Sequence, residues 1–466
     1  MTVLTNRPNL VLFVTDDQRF DTIAALGNDL ISTPNLDELA RSGVAFTQAH
    51  IPGGTFGAIC MPSRAMLHTG KSLFHLANHG WEIPDDHVML GETLRSAGYR
   101  TFATGKWHNG TASHARSFSE GGEIFFGGMA DHWNVPVCRY DPSGVYAETA
   151  RKIDNPFYQN KAKEVHCDHL TPGKHSTELF GDCAVRWLEE EADERPFMMY
   201  VAFMAPHDPR SMPDDYRNLY KPEDIPVPDN YREEHPFDYG IRDMRDEVLE
   251  AYPRTREAIR HHIAEYYGMI SHLDYEVGRV IAALKKAGKY ENTIIVFTAD
   301  HGLALGRHGL MGKQSNYEHS IRVPLLLAGP GIPSNQIRST YLYLYDLYPT
   351  LCELLGIGVP ESVEGQSLVP ALLDPGLQHR EYLGLAYEDA IRGIKNRRYK
   401  LLEYRTETVK ETQLFDLETD PDERFNLFGL PEYEDVADEL RERLHAIRDE
   451  GDDLAHPTGI RFWGRY

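Results

Sequence analysis

Continuous apolar runs alternate with amphipathic segments along most of this sequence. The runs at 9–15, 196–204 and 293–299 (NLVLFVT, PFMMYVAFM and TIIVFTA) have the composition of strands that are buried on both faces. Segments 176–192 and 263–288 lie between such runs, and each has the spacing of a helix with one apolar face. Because strands that alternate with helices favour a layered fold, we predict an α/β protein with a large mixed, mostly parallel sheet sandwiched by helices.

The same pattern predicts further elements in the first 374 residues. Additional strands are expected at 44–51, 100–108 and 323–331, and additional helices at 33–43, 62–70, 89–98 and 343–356. The Pro-rich segment 206–253 is predicted to be a long irregular insertion, of the kind that often shapes a pocket.

The pattern changes after residue 374. Short apolar segments separated by polar turns predict a small antiparallel sheet. An amphipathic helix is expected at 432–450. One side of this helix carries Val436, Leu440, Leu444 and Ile447. We therefore predict a large domain over 1–374 and a small α+β subdomain over 375–466.

Several of the predicted strands end in reactive side chains. These side chains are Asp16 and Asp17, Lys106 and His108, His207, and Asp300 and His301. In open α/β sheets, ligands bind beyond the carboxyl ends of the strands. If these strands are parallel, their ends meet at one edge of one sheet, and the sequence predicts a functional site there.

Asp16 and Asp17 are adjacent, so their carboxylates would repel each other strongly without a counter-charge. A hard divalent cation with oxygen ligands would supply that charge, and Asp300 and His301 would complete its shell. We therefore predict a metal site, with a pair of solvated turn carboxylates as the alternative. Ca²⁺ suits the carboxylates, whereas a histidine ligand leaves Mn²⁺ or Mg²⁺ open. His301 would otherwise bond the substrate or flank the metal.

The net charge limits the classes of partner. Lys and Arg number 48 against 71 Asp and Glu, which gives a net charge of −23. Such a surface repels nucleic acid and anionic membranes at long range, so neither is expected as a partner.

The five cysteines are few and odd in number, which argues against a disulfide framework. The N-terminus has no secretory pattern, so a cytoplasmic location is expected, or a periplasmic one if a leader has been removed.

The segment CMPSRAMLHTG (60–70) places a cysteine at the start of a predicted helix, one turn before Arg64. A buried structural cysteine and a plain thiol nucleophile are two interpretations of Cys60. The pattern Cys-x-Pro-Ser-Arg, followed by Thr-Gly, also resembles the signature of the type I sulfatases. In that family the cysteine is oxidised to formylglycine by a formylglycine-generating enzyme or an anaerobic sulfatase-maturing enzyme. The resemblance implies that modification here.

The resemblance to type I sulfatases covers nearly the whole chain. Its other matching segments, in the family's order, are PNLVLFVTDDQ, GKWHNG, APHDP, FTADHGLALGRHGLMGKQSNYEHSIRVPLLLAGPG and LFDLETDPDERFNL. It implies an alkaline-phosphatase-like fold, a catalytic domain over 1–374, and hydrolysis of sulfuric esters with a divalent metal. The metal ligands that it implies are Asp16, Asp17, Cys60, Asp300 and His301. The catalytic residues that it implies are Cys60, Arg64, Lys106, His108, His207 and Lys313.

Formylglycine explains why the family keeps a cysteine at this position. One hydroxyl of the hydrated aldehyde attacks sulfur, and the other, once deprotonated, expels sulfate and restores the aldehyde. Arg64 would hold the charged diol, and the metal with Lys106 and Lys313 would hold the sulfate oxygens. His207 would protonate or support the leaving alcohol, and His108 would bond the diol and help to deprotonate it.

A sulfated carbohydrate is the expected substrate, because of the long insertion and the resemblance of GLALGRHGLMGKQ to carbohydrate-active members of the family. A small aryl or alkyl sulfate is an alternative. Many members carry Asn where this chain has His301, and Asp-His occurs in some sugar-sulfate hydrolases and in related phosphonate monoester hydrolases. A phosphonate monoester or phosphodiester hydrolase is therefore the second hypothesis. A non-catalytic, metal-stabilised binding protein with a free Cys60 thiol is the third, and the oligomeric state is left unknown.

Overall fold

The structure is a computed structural model, and it describes residues 7–153, 162–190 and 193–466. Its strands are β1 (Asn9–Thr15), β2 (Val44–His50), β3 (Gly53–Gly54), β4 (Arg100–Lys106), β5 (Glu120–Phe125), β6 (Pro136–Val137), β7 (Thr149–Ile153), β8 (Ala162–His166), β9 (His169–Leu170), β10 (Phe197–Ala202), β11 (Thr293–Ala299), β12 (Arg322–Ala328), β13 (Gln336–Arg338), β14 (Leu342–Tyr343), β15 (Leu383–Tyr387), β16 (Ile391–Lys395), β17 (Tyr399–Arg405) and β18 (Lys410–Asp416). Its α-helices are α1 (Pro34–Ser42), α2 (Cys60–Thr69), α3 (Leu90–Ser96), α4 (Thr111–Ser117), α5 (Ser176–Glu190), α6 (Asp214–Arg217), α7 (Arg256–Lys286), α8 (Glu318–Ile321), α9 (Leu347–Leu354), α10 (Val369–Leu373), α11 (Glu434–Glu450) and α12 (Pro457–Gly464).

The main sheet has the strand order β13–β2–β12–β11–β1–β10–β4–β5, and β14 also pairs with β2. Strand β12 runs antiparallel to β11 and to β2, whereas the other adjacent pairs are parallel. The predicted mixed, mostly parallel sheet is therefore confirmed. Because β11, β1, β10 and β4 are parallel neighbours, their carboxyl ends meet at one edge of the sheet.

Helices cover both faces of the main sheet, as strand β1 illustrates. Leu10, Leu12 and Val14 belong to one core, which includes residues of α2, α3 and α9. Val11 and Phe13 belong to a second core, which includes residues of α1, α5 and α7. Successive side chains of a strand point to opposite faces, so a strand between two helix layers needs the continuous apolar run that β1 has.

A second, five-stranded sheet has the order β18–β17–β16–β15–β3. Strands β15 to β18 are antiparallel, as predicted, but β3 comes from the segment before α2 and pairs in parallel with β15. Gly53 in β3 has φ +102°, and a Cβ there would lie 2.0 Å from the carbonyl oxygen of Ala386, so no larger residue fits. This sheet takes β3 from before residue 374 and β15 to β18 from after it, so the division of the chain at that residue stays a prediction.

Several predicted boundaries differ from those of the structure. Helix α7 begins at Arg256, well before the predicted start, because Thr255 caps it by accepting the backbone N–H of Ala258 at 3.1 Å. In α11, Leu440 and Leu444 are buried as predicted, but Ala437 completes the buried face and Val436 and Ile447 are only partly covered. Residues 191–192 of the predicted helix 176–192 lie outside the described residues.

The segment 206–253 is largely irregular, as predicted, with α6 as its α-helix. Within the described residues, no helix has both the length and the apolar character needed to cross a bilayer.

Candidate active site

Two pairs of candidate metal ligands lie side by side at the carboxyl edge of the main sheet. Asp16 and Asp17 follow β1, and Asp300 and His301 follow β11. Strands β1 and β11 pair in parallel, with Thr15 opposite Ala299, so the residues that follow them are neighbours. All four side chains are at most 1% exposed. The backbone N–H of Asp17 donates to Asp300 Oδ1 at 3.3 Å.

Helix α2 brings Cys60 to this edge, because Cys60 is its first residue. Ser63 Oγ donates to the carbonyl oxygen of Asp300 at 2.6 Å, and Arg64 Nε donates to Asp300 Oδ2 at 2.8 Å. These bonds fix the first turn of α2 against the end of β11. Cys60 Sγ, 3.3 Å from Nδ1 of His108, is thereby held beside the loop that follows β4.

These two pairs and Cys60 together form a set of ligand atoms suited to a cation. One ligand atom each of Asp16, Cys60, Asp300 and His301 lies within 4.8 Å of the others, and a second such group joins Asp16, Asp17 and His207. The cup formed by these residues is almost completely buried.

Two of the candidate ligand atoms in this cup are buried without a hydrogen-bond partner among the described residues, namely Asp16 Oδ1 and His301 Nε2. In the neutral ring, His301 Nδ1 donates to the carbonyl oxygen of Gly302 at 3.0 Å, and the lone pair of Nε2 is then available to a metal. Nε2 lies 3.4 Å from Asp300 Oδ1 and 3.7 Å from Asp16 Oδ1. These unpaired oxygen and nitrogen ligands fit a divalent metal.

The pKa values in the cup show a demand for positive charge. Burial and the neighbouring Asp16 raise the pKa of Asp300. Burial acts to lower the pKa of His301, but Asp300, together with Cys60 and Asp17, raises that pKa to about 9. A bound cation would balance the same carboxylates without a proton on His301.

Position 60 lies in a field that stabilises an anion. Burial acts to raise the pKa of Cys60, but Lys106 and His108 hold it well below the ordinary value of 9.0. Lys106 Nζ donates to Asp16 Oδ2 and to the carbonyl oxygen of Gly128. Lys313 Nζ donates to Asp17 Oδ1 at 2.7 Å. The protein is strongly acidic overall, yet this cup is lined with cations that suit an anionic substrate.

His207 joins the cup from the loop after β10. Its Nδ1 donates to the carbonyl oxygen of Asp208 at 2.8 Å, and its Nε2 lies 3.9 Å from Asp17 Oδ2. The structure therefore brings together every residue that the sequence analysis assigned to the site. These are Asp16, Asp17, Cys60, Arg64, Lys106, His108, His207, Asp300, His301 and Lys313. Their individual roles stay predictions.

Sequence reasoning missed the residues that hold this cup in shape. Tyr200 in β10 accepts from Arg64 at 3.3 Å, and the Asn109 side chain donates to the carbonyl oxygens of Met61 and Gly80 at 2.9 and 2.6 Å. Asn109 follows His108 directly, so its place in GKWHNG was the one available signal. Tyr200 lies within an apolar run and offered none.

Comparisons with known proteins agree with this geometry. The family model named Sulfatase matches residues 8–357, and the model named N-sulphoglucosamine sulphohydrolase, C-terminal, matches residues 306–450. An arylsulfatase of Clostridium perfringens is 29% identical, with 94% of each chain covered. An N-acetylglucosamine-6-O-sulfatase of Bacteroides thetaiotaomicron is 24% identical over 94% of this chain and 86% of its own.

Solved structures share the fold. One, described as a complex with its substrate D-glucosamine-2-N,6-O-disulfate, superposes with a TM-score of 0.78 at 23% identity, covering 97% of this chain and 99% of its own. A phosphonate monoester hydrolase of Agrobacterium radiobacter gives 0.73 at 24% identity, with 96% of each chain covered. Because the Sulfatase model matches most of the chain and the site has the expected residues, this chain belongs to the sulfatase family, whose members hydrolyse sulfate esters.

Proposed function

We propose that this sulfatase removes sulfate from a sulfated carbohydrate, using a formylglycine made from Cys60 and a bound Ca²⁺. The observation that carries the proposal is the buried group of ligand atoms from Asp16, Cys60, Asp300 and His301. Membership of the sulfatase family implies a metal and a formylglycine. A divalent cation bound here would polarise a sulfate oxygen and stabilise the charge that develops in the transition state.

The surroundings of position 60 support its role as the nucleophile. Cys60 Sγ marks the place that the oxygen of formylglycine would take, and His108 Nδ1 lies 3.3 Å away, within reach of a proton on that group. Arg64 Nη2 is buried and has no hydrogen-bond partner among the described residues. This unpaired N–H is available to hold an anionic oxygen at position 60.

Lys106, Lys313 and His207 supply the charge and the proton that the reaction needs. Each lysine ammonium has three donors, and Lys313 uses one of them on Asp17, so donors remain for the sulfate oxygens. Because His207 Nδ1 donates to a carbonyl oxygen, the imidazolium form of His207 would carry its transferable proton on Nε2, at the cup. We assign that proton to the leaving alcohol.

A carbohydrate substrate is supported by a groove whose lining includes Asp208, the residue after His207. Its volume is about 440 Å³, and the segment after His207 contributes much of its wall. The residues that line it include Met129, Asp208, Arg210, Arg245 and His262. Charged groups that both donate and accept suit a polar ligand. The relative named N-acetylglucosamine-6-O-sulfatase and the solved structure described as a complex with D-glucosamine-2-N,6-O-disulfate support the same class.

The identity of the metal and the maturation partner are also proposals. Oxygen ligands from Asp16, Asp17 and Asp300 favour Ca²⁺, whereas His301 keeps Mn²⁺ or Mg²⁺ as alternatives. The modification requires a formylglycine-generating enzyme or an anaerobic sulfatase-maturing enzyme. The cytoplasmic location stays a prediction.

A substrate panel tests the proposed substrate class. The modified enzyme, with formylglycine content measured by peptide mass spectrometry across position 60, is assayed on sulfated oligosaccharides, an aryl sulfate and an aryl phosphonate. We expect the highest kcat/KM on a sulfated saccharide. His301 beside Asp300 keeps a phosphonate monoester or phosphodiester hydrolase as the second candidate, and a large preference for the aryl phosphonate would overturn the substrate proposal.

A further inference from the structure

The loop that carries Lys313 is held from two sides. It folds back on the segment after His301, where Ala304 N donates to the carbonyl oxygen of Gly312 at 2.9 Å. On its other side lie Asp246 and Glu247, which belong to the irregular segment 206–253. The sequence analysis gave neither acid a role, and neither is part of the ligand cup.

Glu247 binds the backbone of this loop directly. Its carboxylate accepts the backbone N–H of Met311 at 3.0 Å and that of Gly312 at 2.8 Å. Arg254 Nη2 donates to the same carboxylate at 2.7 Å, and both side chains are at most 1% exposed. A buried carboxylate with these partners is a rigid anchor, because each bond compensates for its lost hydration.

Asp246 binds the residue on the other side of Lys313. Gln314 Nε2 donates to Asp246 Oδ2 at 2.6 Å and to the carbonyl oxygen of Gly57 at 3.1 Å, in the loop that leads to Cys60. A Cβ on Gly312 would lie 2.4 Å from Gln314 Oε1 and 2.8 Å from Asp246 Cβ. The two segments are therefore in close contact at Gly312, where a larger residue would not fit.

We propose that Asp246 and Glu247 are positioning residues: Glu247 holds the backbone before Lys313 and Asp246 holds the side chain of Gln314 after it, so that the Lys313 ammonium reaches the sulfate in the transition state. This inference rests on the proposed role of Lys313. Lys313 itself has a long, flexible side chain, so a fixed backbone is what limits where its ammonium lies. The long insertion thus contributes to the reaction through Lys313.

A double-mutant cycle tests this inference. The variants are Glu247→Gln, Asp246→Asn and Lys313→Ala, each acid substitution also being combined with Lys313→Ala. All are assayed on an aryl sulfate with rates corrected for formylglycine content, and folding is checked by circular dichroism and thermal unfolding. Asp246→Asn is the milder change and carries the test if Glu247→Gln does not fold. Glu234→Gln, which breaks an exposed pair with Arg242 in the same insertion, is the matched control.

Loss of positioning predicts that kcat/KM falls on the order of 10- to 100-fold in Glu247→Gln, and by a smaller factor, still above about threefold, in Asp246→Asn, whose amide oxygen can accept from Gln314. In the Lys313→Ala background the same substitutions should change kcat/KM by less than about twofold, because there is no ammonium left to position. Glu234→Gln should behave as the wild type. A purely structural role would lower the unfolding temperature and give the same fold-loss in both backgrounds.

The possible failures are distinguishable. If Lys313→Ala lowers kcat/KM but both acid variants turn over at the wild-type rate, or lose the same factor in both backgrounds, the positioning inference is wrong and the role of Lys313 stands. If Lys313→Ala itself turns over at the wild-type rate, the proposed role of Lys313 and the positioning inference are both wrong.

Discussion

Asp17 and His108 both have a φ of +68°, a left-handed conformation that residues other than glycine adopt at a cost. Both lie in the cup, Asp17 beside Lys313 and His108 beside Cys60. The left-handed turn at Asp17 accompanies the hydrogen bond from its N–H to Asp300, which joins the end of β1 to the end of β11. At the scale of the residue, two of the non-glycine residues with a left-handed backbone thus lie where the ligand atoms converge.

Cys60→Ala should abolish turnover, because alanine cannot be converted to formylglycine and no nucleophile remains. The fold should persist, since the substitution removes one buried sulfur atom. Turnover of an aryl sulfate and the unfolding temperature measure the two effects. Cys352→Ala is the matched control, because Cys352 is equally buried but belongs to α9. Wild-type turnover by Cys60→Ala would show that the nucleophile is assigned to the wrong residue.

Helix α2 is buried along its whole length, so it has no solvent-exposed face of the kind that guides most helix predictions. Its position depends on specific bonds instead. Ser63 and Arg64 bind Asp300, and Asn109 binds the carbonyl oxygen of Met61. At the scale of the element, this one helix determines where the nucleophile lies relative to the acids.

Asn109→Asp should destabilise the protein at least as much as Asn109→Ala. The Asn109 amide donates to two carbonyl oxygens, and an aspartate at this site would present an acceptor to both. Leaving these buried carbonyl groups unpaired costs about 1–3 kcal/mol in the free energy of unfolding. Denaturant unfolding of both variants measures this cost. A variant Asn109→Asp as stable as the wild type would contradict the proposed bracing.

His175, directly before helix α5, should make the free energy of unfolding depend on pH. His175 Nδ1 accepts the backbone N–H of Thr177 in the first turn of α5, and His175 Nε2 donates to the carbonyl oxygen of Ser211. Both ring nitrogens are thus used in the neutral form, and burial, with His132 and His272, lowers the pKa of His175 to about 2. An exposed histidine titrates near pH 6.5. The unfolded chain therefore binds a proton that the folded chain does not, and stability falls as the pH drops below about 6.5.

His175→Asn should weaken that dependence, because asparagine can still accept the Thr177 N–H and does not titrate. The expected difference between wild type and variant is about 1.4 kcal/mol per pH unit below pH 6.5, measured by denaturant unfolding from pH 7 to pH 4. His261→Asn, at an exposed position of α7, is the control and should leave the slope unchanged. Equal slopes for the wild type and His175→Asn would contradict the account.

The elements that could be predicted from the sequence are those whose burial requires a regular pattern of apolar residues. β1 and β11 are continuous apolar runs, and the acids after them follow from the parallel pairing of these strands. The direction of β12 could not be predicted, because an apolar run looks the same in either orientation. Asp246 and Glu247 could not be predicted either, since they lie in an irregular segment without periodicity, and their partners are distant in the chain.

The two sheets form a continuous buried structure at the scale of the whole molecule. Leu383 and Leu385 of the second sheet belong to the same core as β1. Glu318 in α8 is buried and pairs with Lys395 at 2.6 Å and Lys400 at 3.1 Å, both in the second sheet. Removing those partners would leave a buried charge uncompensated, which typically costs about 3–5 kcal/mol.

The fragment 1–374 should therefore not fold stably alone. It would expose the shared core that Leu383 and Leu385 complete, and it would lose the strand that pairs with β3. We expect the fragment to lack the cooperative thermal transition of the full chain, as followed by near-UV circular dichroism. A cooperative transition close to that of the full chain would instead support an independent domain that ends at 374.

The most direct test of the proposed metal centre is the ion content of the modified enzyme, measured by elemental analysis beside its turnover of an aryl sulfate. We predict one Ca²⁺ per chain, loss of turnover when the ion is removed, and recovery when Ca²⁺ is added back. A variant with both Asp16→Asn and Asp300→Asn should keep neither the ion nor the activity. Full turnover by metal-free protein, or an undiminished ion content in that variant, would contradict a cation held between the ends of β1 and β11.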